Sequence, residues 1–303
     1  MDGAQFCLPS AKDDLRDSLP LVIGPLSYTN VTLQRHSSIY FTAAKVAEKF
    51  RIPYVHTPIS SLSMTDLDEN VVGATMIRWL EIFPFVDMRV LRSLVIRADK
   101  CGFSAFVLTL TESMKTVSSI FGDHTNAYPI TSSDLETMHA ECASMTSSRL
   151  QSLVEQRTSV VDTIKFLRQL TEHPIIVNTS IKHQDLIFRA LEAGVDAVCV
   201  VIDEYMPLPK FIEAIHTIKQ QSMSNIPLYA GGSSFTEEEV ACLIAHGVER
   251  VMIDQPIVWG LMIDGFDGVS NVIDIYKHKL DIHKTENEKY EHNCVGSVVF
   301  SYR

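Results

Sequence analysis

The sequence predicts an α/β protein, a single-domain (β/α)8 barrel of the TIM-barrel type. Short apolar runs with β character alternate with helix-period segments along most of the chain, and this alternation is typical of a parallel sheet. Eight such strand and helix pairs fit into about 250 residues, the usual length of a (β/α)8 barrel. No Gly-x-Gly-x-x-Gly motif follows an early strand. We therefore favour the barrel over an open, doubly wound dinucleotide-binding sheet.

Each predicted strand is a short run of apolar and β-branched residues. The strands lie near Leu19 to Gly24, Ile52 to His56, Thr75 to Leu80, Ser104 to Leu110, Pro174 to Val177, Ala197 to Ile202, Ile226 to Ala230 and Arg250 to Ile253. Between them lie segments whose apolar residues recur with the helical period. The predicted helices are Ser38 to Phe50, Met64 to Glu69, Met88 to Cys101, Ser159 to Thr171, Lys182 to Ala193, Pro209 to Gln220, Thr236 to His246 and Val269 to Asp281.

The seventh helix carries clear signals at both ends. Glu237, Glu238 and Glu239 put three carboxylates in its first turn, where the helix dipole favours negative charge. Ser234 and Glu237 have the spacing of a capping box, and Gly247 ends the helix.

Three segments surround or interrupt the predicted barrel, which occupies residues 20–282. Residues 1–19 are a short lead-in, and residues 283–303 form a polar C-terminal tail whose part from Lys284 to His292 we expect to be solvated. Residues 111–157, after the fourth strand, are polar and rich in serine and threonine. A connection this long is usually functional or disordered, so we interpret it as a lid-like insertion over the active site or as an ordered excursion on the functional face of the barrel.

Composition and charge exclude several classes of function. A hydrophobic fraction of 46% with 13 Gly and 12 Pro is ordinary for a globular protein. The net charge of −11 and the absence of a Lys/Arg-rich run argue against nucleic acid as a partner. The chain has no apolar run of about 18 residues, no leader pattern, and no peroxisomal tripeptide at Ser301-Tyr302-Arg303. We expect a cytoplasmic protein that does not enter a membrane.

The cysteines and histidines do not form a metal-binding pattern. None of the six cysteines is part of a Cys-x-x-Cys pair, so we expect isolated reduced thiols rather than a zinc site or a disulfide framework. His173, His183, His216 and His246 fall on separate helix ends or faces, without a carboxylate or cysteine at ligand spacing. We expect surface or capping roles for them, and no metal.

The twin glycines Gly231 and Gly232 are the best candidate for a ligand site. They follow a strand and precede a helix, where free backbone N–H groups suit a phosphate. In a parallel barrel this is the usual phosphate position.

This stretch and its continuation resemble a known family. Gly231-Gly232-Ser233, the helix end Ala245-His246-Gly247-Val248 and the run from Gln255 to Gly260 are similar to the last two strands of the FMN-dependent 2-hydroxyacid oxidases, the glycolate oxidase group. The resemblance extends from about Pro20 to Leu280 and places the family's own excursion at 111–157. It implies a TIM barrel, FMN as the cofactor, oxidation of a small 2-hydroxyacid, and homo-oligomers. The resemblance also implies an N-terminal helical region before the first strand, and with about twenty residues before Leu21 we expect that region to be truncated.

The positions that carry the family's catalysis hold other residues here. The loop that supplies the histidine base reads Val201 to Met206, which leaves Asp203 and Met206 near its place. The glutamine and tyrosine after the third strand fall on Glu81 and Phe83, and the aspartate that orients the histidine falls on Thr111. The substrate-holding arginine has no substitute, since no arginine occurs between Arg97 and Arg149.

The flavin positions are partly retained. Thr109 matches a flavin-contacting threonine, and Gly231 and Gly232 keep the phosphate loop. Asn178 replaces the lysine that faces the flavin, so it can form hydrogen bonds but cannot offset negative charge. At the phosphate, Phe235 falls where an arginine is expected, and Asp254-Gln255-Pro256 replaces Gly-Arg-Pro. Residual cofactor contacts would come from Thr109, Asn178, Gly231, Gly232 and Gln255.

We therefore predict a glycolate oxidase-like pseudoenzyme with lost or weakened FMN binding, which acts as a binding or interaction protein. Its partners would be a small molecule or flavin at the barrel mouth, and further copies of itself or an active relative in a mixed oligomer. The alternative is a working FMN-dependent oxidoreductase that uses Asp203 or Glu204 as an unorthodox base, although a solvated loop is the simpler interpretation of that pair. Trp259 and Ile257, in the retained motif, are expected to pack in the core.

Overall fold

The structure is a computed structural model that describes residues 18–26, 37–70, 76–110, 136–138, 158–203, 206–222, 226–232 and 234–293, with side chains described as far as residue 283. Eight parallel strands form a closed barrel in which each strand pairs with the next and β8 pairs with β1. The predicted (β/α)8 architecture is confirmed.

Strand and helix alternate through the whole of this barrel. The strands are β1 (Leu21–Ile23), β2 (Tyr54–His56), β3 (Arg78–Ile82), β4 (Ala105–Leu110), β5 (Ile175–Ser180), β6 (Ala197–Val201), β7 (Leu228–Gly231) and β8 (Arg250–Ile253). The helices are α1 (Ser37–Phe50), α2 (Met64–Asn70), α3 (Met88–Lys100), α4 (Val160–Leu170), α5 (Gln184–Glu192), α6 (Leu208–Gln221), α7 (Glu237–Ala245) and α8 (Gln255–Asn293).

Successive strand residues alternate between the barrel interior and the helices, as the period of a β-strand requires. One buried cluster fills the interior: Val22, Val55, Trp79, Ala105, Val107, Ile176, Ala197, Cys199, Tyr229 and Met252. The residues between them pack outward against the helices in a second, larger cluster. At the amino end of the strands Arg250 donates to the carbonyl of Leu19 at 3.0 Å and to Ser18 Oγ at 3.0 Å. Ligand sites of (β/α)8 barrels lie at the carboxyl ends of the strands, which is the end opposite to these Arg250 contacts.

Two strands differ from the prediction in a way that matters for the site. β3 begins at Arg78, which pairs with Tyr54, rather than near Thr75. β5 runs on to Ser180 instead of stopping at Val177, because its residues through Ser180 pair with β6. Asn178 is thus a strand residue on the inner face, two positions after Ile176.

The start of α7 corrects the predicted capping box. The N-cap is Thr236, whose backbone N–H donates to Glu239 Oε2 at 2.8 Å, while the Glu239 N–H donates to Thr236 Oγ1 at 3.3 Å. Ser234 and Glu237 have the same spacing, but the helix begins at Glu237, so the box is formed two residues later. Gly247 follows α7 with a φ of 84°, as expected of a glycine that ends a helix.

The last helix is longer than predicted at both ends. It begins at Gln255, directly after β8, and extends to Asn293, so the segment from Lys284 to His292 lies within the helix rather than in a tail. Asp264 and Gly265 interrupt it with non-helical backbone, and Gly265 has a φ of 52°. A left-handed conformation suits glycine, which explains why the helix bends there.

The retained motif at the start of α8 is only half buried. Ile257 is fully buried, as predicted, but the side chain of Trp259 is 51% exposed. The prediction that Trp259 packs in the core is wrong. The two residues are two positions apart on a helix, and side chains at that spacing lie on different faces.

Candidate functional site

The carboxyl ends of three neighbouring strands bring together the polar residues of the barrel interior. Glu81 on β3, Thr109 on β4 and Asn178 on β5 each follow an inward-facing apolar residue by two positions, namely Trp79, Val107 and Ile176. Each therefore points into the barrel. Thr109 and Asn178 are register partners across the β4–β5 pair.

These three side chains form a hydrogen-bonded chain whose direction follows from their chemistry. Thr109 Oγ1 donates to Glu81 Oε1 at 2.7 Å. The hydroxyl has one hydrogen, so Thr109 accepts from the Asn178 Nδ2 amide at 3.4 Å. The hydrogen bond to Thr109 therefore fixes which side of the Asn178 amide faces the threonine.

The side-chain oxygen of Asn178 has no hydrogen-bond partner among the residues that the structure describes. Asn178 is 6% exposed, and its Oδ1 is buried. This oxygen lies 3.9 Å from the position that a Cβ on Gly231 would take, across the interior towards β7. A buried polar atom left unpaired costs about 1–3 kcal/mol. It is the kind of group that a ligand donor can satisfy.

The phosphate end of the site is packed with an aromatic ring. A Cβ on Gly232 would lie 2.7 Å from Phe235 Cε2 and 2.8 Å from Ile202 Cγ2, so both side chains touch the glycine backbone. Phe235 is 4% exposed, its ring lies near that of Phe211, and its carbonyl accepts from the Tyr276 hydroxyl at 2.5 Å. An apolar ring is therefore buried against the predicted phosphate loop.

A carboxylate lies at the start of α8, beside the same loop. Asp254 Oδ1 accepts from the backbone N–H of Gln255 at 2.6 Å, so the protein's own anion occupies a donor at this helix N-terminus. Burial raises the pKa of Asp254 to about 6, and the hydrogen bonds from backbone N–H groups oppose that rise. Gln255 itself is exposed.

The described residues fit the phosphate of FMN poorly. Where phosphate binding needs free N–H donors and cations, Phe235 covers Gly232 and Asp254 adds negative charge. The ring end of the site keeps Thr109, but its hydroxyl is committed to Glu81.

The positions that match catalytic residues are engaged in structural contacts. Phe83 is buried with its ring edge-on to that of Phe85, 5.8 Å between centroids. Asp203 forms an ion pair with Lys182, and Met206 is partly buried against the core while its N–H donates to the Asp203 carbonyl at 2.9 Å. Thr111 and Glu204 lie outside the described residues, as does most of the 111–157 segment.

His56 is a buried polar residue that the sequence analysis did not single out. Its Nε2 lies 2.8 Å from Thr137 Oγ1 and 3.1 Å from the Leu62 carbonyl. Burial lowers its pKa to about 4, so the ring is neutral near pH 7. The one described part of the long insertion, 136–138, is thereby held against the loop between β2 and α2. A histidine that ends an apolar strand run was the available signal.

Two of the four surface histidines have partners that the sequence analysis missed. His173 Nε2 lies 3.1 Å from Asp99 Oδ1, and His246 Nδ1 lies 2.8 Å from the Cys242 carbonyl and 3.7 Å from its Sγ. The expectation that none has a carboxylate or cysteine neighbour is corrected. Even so, the described residues contain no group of three or more His, Cys, Asp or Glu placed to hold a metal. The described cysteines, Cys101, Cys199 and Cys242, are free thiols.

Among the residues that the structure covers, no helix combines the length and the apolar character needed to cross a membrane.

Comparison with known proteins identifies relatives of this barrel. A peroxisomal (S)-2-hydroxyacid oxidase of Arabidopsis thaliana, GLO3, is 25% identical over 285 residues, covering 88% of this chain and 73% of its own. The 2-hydroxyacid oxidase 2 of Mus musculus is 22% identical over 268 residues, covering 86% and 73%.

Solved structures share the fold. Mandelate oxidase with (S)-2-phenylpropionate matches with a TM-score of 0.65 at 18% identity, covering 86% of this chain and 72% of that one.

The family model of the FMN-dependent dehydrogenases matches residues 15–283, nearly the whole described barrel. The chain therefore belongs to the FMN-dependent dehydrogenase family.

Proposed function

We propose that this chain is a pseudoenzyme of the 2-hydroxyacid oxidase type, a barrel that kept its packing, lost tight FMN binding and acts as a binding protein. The observation that carries the proposal is the phosphate end of the site. Phe235 is buried against Gly232, and Asp254 caps the adjacent helix with a carboxylate. Each charge-assisted contact to a phosphate is worth about 1.5–3 kcal/mol, and the described residues replace such contacts with a ring and an anion.

The catalytic positions support the same conclusion. Oxidation of a 2-hydroxyacid needs a base for the proton, cations for the substrate carboxylate, and a cation beside the reduced flavin. Phe83 and Asn178 are uncharged and cannot act as bases, and Asp203 forms an ion pair with Lys182.

The ligand of the proposed binding protein enters at the carboxyl ends of the strands. This is where ligands bind in barrels of this class, and it is where the buried Asn178 Oδ1 lies, which has no hydrogen-bond partner in the described part of the chain. A small molecule, or a flavin held weakly, would occupy it.

A cytoplasmic location and assembly into homo-oligomers, or into mixed oligomers with an active relative, complete the proposal. Fluorescence imaging of the tagged full chain tests the location. Native mass spectrometry, with and without a co-expressed active 2-hydroxyacid oxidase, tests the assembly.

Peroxide release tests the proposed loss of chemistry. The purified protein, supplied with excess FMN, is incubated with glycolate, lactate and longer 2-hydroxyacids, beside an active family member as the positive control. We expect no peroxide above the no-enzyme background. Turnover that disappears in an Asp203→Asn variant would establish the working oxidoreductase instead.

A further inference from the structure

The first part of α8 is apolar on every side. From Pro256 to Ile263 the helix carries no polar side chain. One face lies in the core, where Ile257 is fully buried and Val258 and Leu261 are partly buried against the hydrophobic cluster. A helix that is apolar all round is normally covered on all sides. The outward face of this segment is therefore a candidate contact surface for another molecule.

This outward face carries three large apolar side chains. Trp259 is 51% exposed, Met262 is 66% exposed and Ile263 is 83% exposed. They stand at helix positions i, i+3 and i+4, which are neighbours on one face, so we treat them as one surface and name it the α8 patch. Tryptophan and methionine are enriched at protein interfaces, and a tryptophan is often the residue that contributes most to binding.

Two glycines hold the α8 patch in a fixed position. The backbone bends at Asp264 and Gly265, and on either side of this bend Gly260 and Gly268 contact each other directly. A Cβ on Gly260 would lie 2.9 Å from the carbonyl carbon and oxygen of Gly268, which is closer than a side chain can come. The segment that carries the patch thus meets the rest of α8 backbone against backbone. A surface that is fixed before binding loses less conformational entropy on binding.

Two carboxylates border the α8 patch. Asp264 and Asp267 follow it in sequence and are exposed, and no hydrogen bond or ion pair joins either side chain to another described residue. Lys49 on α1 lies over the rings of Phe50 and Phe266, at 5.0 Å and 5.3 Å from their centroids. Its charge thus faces the protein's own aromatic rings. The border therefore presents two carboxylates to a partner.

These charges favour a basic partner over a second copy of the chain or a membrane. In a symmetric contact between two copies the patch would meet itself, so Asp264 and Asp267 would approach the same carboxylates of the other copy. The net charge of −11 adds to this repulsion, and it also disfavours the anionic surface of a membrane. Trp259 and Ile263 form an i, i+4 ridge, which is the kind of ridge that packs into the groove of another helix.

We propose that the α8 patch docks a helix of a partner protein that is apolar on one face and rich in lysine or arginine beside that face. Trp259, Met262 and Ile263 pack against its apolar face, and Asp264 and Asp267 form ion pairs with its basic residues. This inference goes beyond the proposed function, because the patch lies on a helix outside the barrel and its use does not depend on FMN.

The fluorescence of Trp259 measures the docking. The chain has one other tryptophan, Trp79, which is 3% exposed inside the barrel, so a blue shift of the emission on binding comes from position 259. The probe is an amphipathic helical peptide of about 14 leucines and lysines, and the control peptide has glutamate in place of each lysine. We expect the lysine peptide to shift the emission and to bind at least about tenfold more tightly than the glutamate peptide. Equal affinities, or no shift, would overturn the proposal.

Substitutions at exposed positions separate the patch from general attraction to an acidic protein. Ile263→Ser and Met262→Ser should each weaken binding of the lysine peptide about tenfold or more. Ile275→Ser, at an isoleucine of α8 that is 54% exposed outside the patch, is the matched control and should retain the parent affinity. Asp264→Lys combined with Asp267→Lys should reverse the preference between the two peptides. Equal losses in all three serine variants, or an unchanged preference in the lysine variant, would contradict the proposal.

Two other occupants would reveal themselves in the same variants. Self-association of the full chain that is lost in Ile263→Ser, measured by sedimentation, would assign the patch to a second copy. A larger emission shift with phospholipid vesicles than with the lysine peptide would assign it to a membrane. Either result would overturn the proposal.

Discussion

The ring of Phe235 lies directly against the backbone of Gly232, close enough that a Cβ on the glycine would be 2.7 Å from Cε2 and 2.9 Å from Cζ. The glycine that would let a phosphate approach the backbone in this fold instead lets a phenyl ring approach it. Glycine is thus retained at position 232, but the group that contacts it is a phenyl ring.

Gly232→Ala should therefore destabilise the protein even if no phosphate ever binds. Because the ring is buried and cannot move away freely, the added methyl group overpacks the site, and we expect a loss of about 1–3 kcal/mol in the free energy of unfolding. Urea denaturation measures it. In a Phe235→Ala background the same substitution should cost much less, and an equal cost in both backgrounds would show that the ring is not the cause.

Trp259→Ala should have little effect on stability, whereas Ile257→Ala should cost about 2–5 kcal/mol. Ile257 is fully buried, but half of the tryptophan surface already meets solvent. Thermal unfolding of the two single variants compares them. A larger loss for the tryptophan would mean that its exposed face is covered in solution.

Asp254 should make the protein less stable as the pH rises. Its folded pKa of about 6 lies above the ordinary 3.8, so the folded state holds a proton that the unfolded state has released, and stability falls between about pH 4 and pH 6. Asp254→Asn should remove this loss, worth about 1–3 kcal/mol at neutral pH. Among the described residues, Cys199 and Tyr276 have pKa values that the charge of Asp254 raises, and burial holds both pKa values at about 12, outside this window. An unchanged pH profile in the variant would contradict the pKa shift.

His56 should have the opposite effect over nearly the same range. Its folded pKa of about 4 lies below the ordinary 6.5, so its contribution to stability is present above pH 6.5 and is lost as the pH falls towards 4. His56→Gln should flatten the acid side of the stability profile, while Asp254→Asn should steepen it. Urea midpoints across this range test both. Parallel profiles for the two variants would contradict the assignment of opposite signs.

The alternation of strands and helices was predictable from sequence because each apolar run has its own period and length. The start of α8 was not predictable, since Gln255-Pro256 directly follows a strand. Trp259 looks like a core residue until it is known which face of the helix it lies on. The relation between Glu81, Thr109 and Asn178 also depends on register across β3, β4 and β5, which the linear sequence does not contain. The sequence showed at each position that a residue of the family pattern had been replaced. The hydrogen bonds among Glu81, Thr109 and Asn178 could be seen only in the three-dimensional arrangement.

FMN affinity tests the central claim most directly. The purified protein is saturated with FMN, passed through a desalting column, and its absorbance near the flavin band is compared with that of an active 2-hydroxyacid oxidase treated in the same way. The account predicts a colourless protein, and an Asp254→Gly variant that recovers measurable FMN because the repelling carboxylate is gone. A yellow parent protein with one FMN per chain would contradict the account.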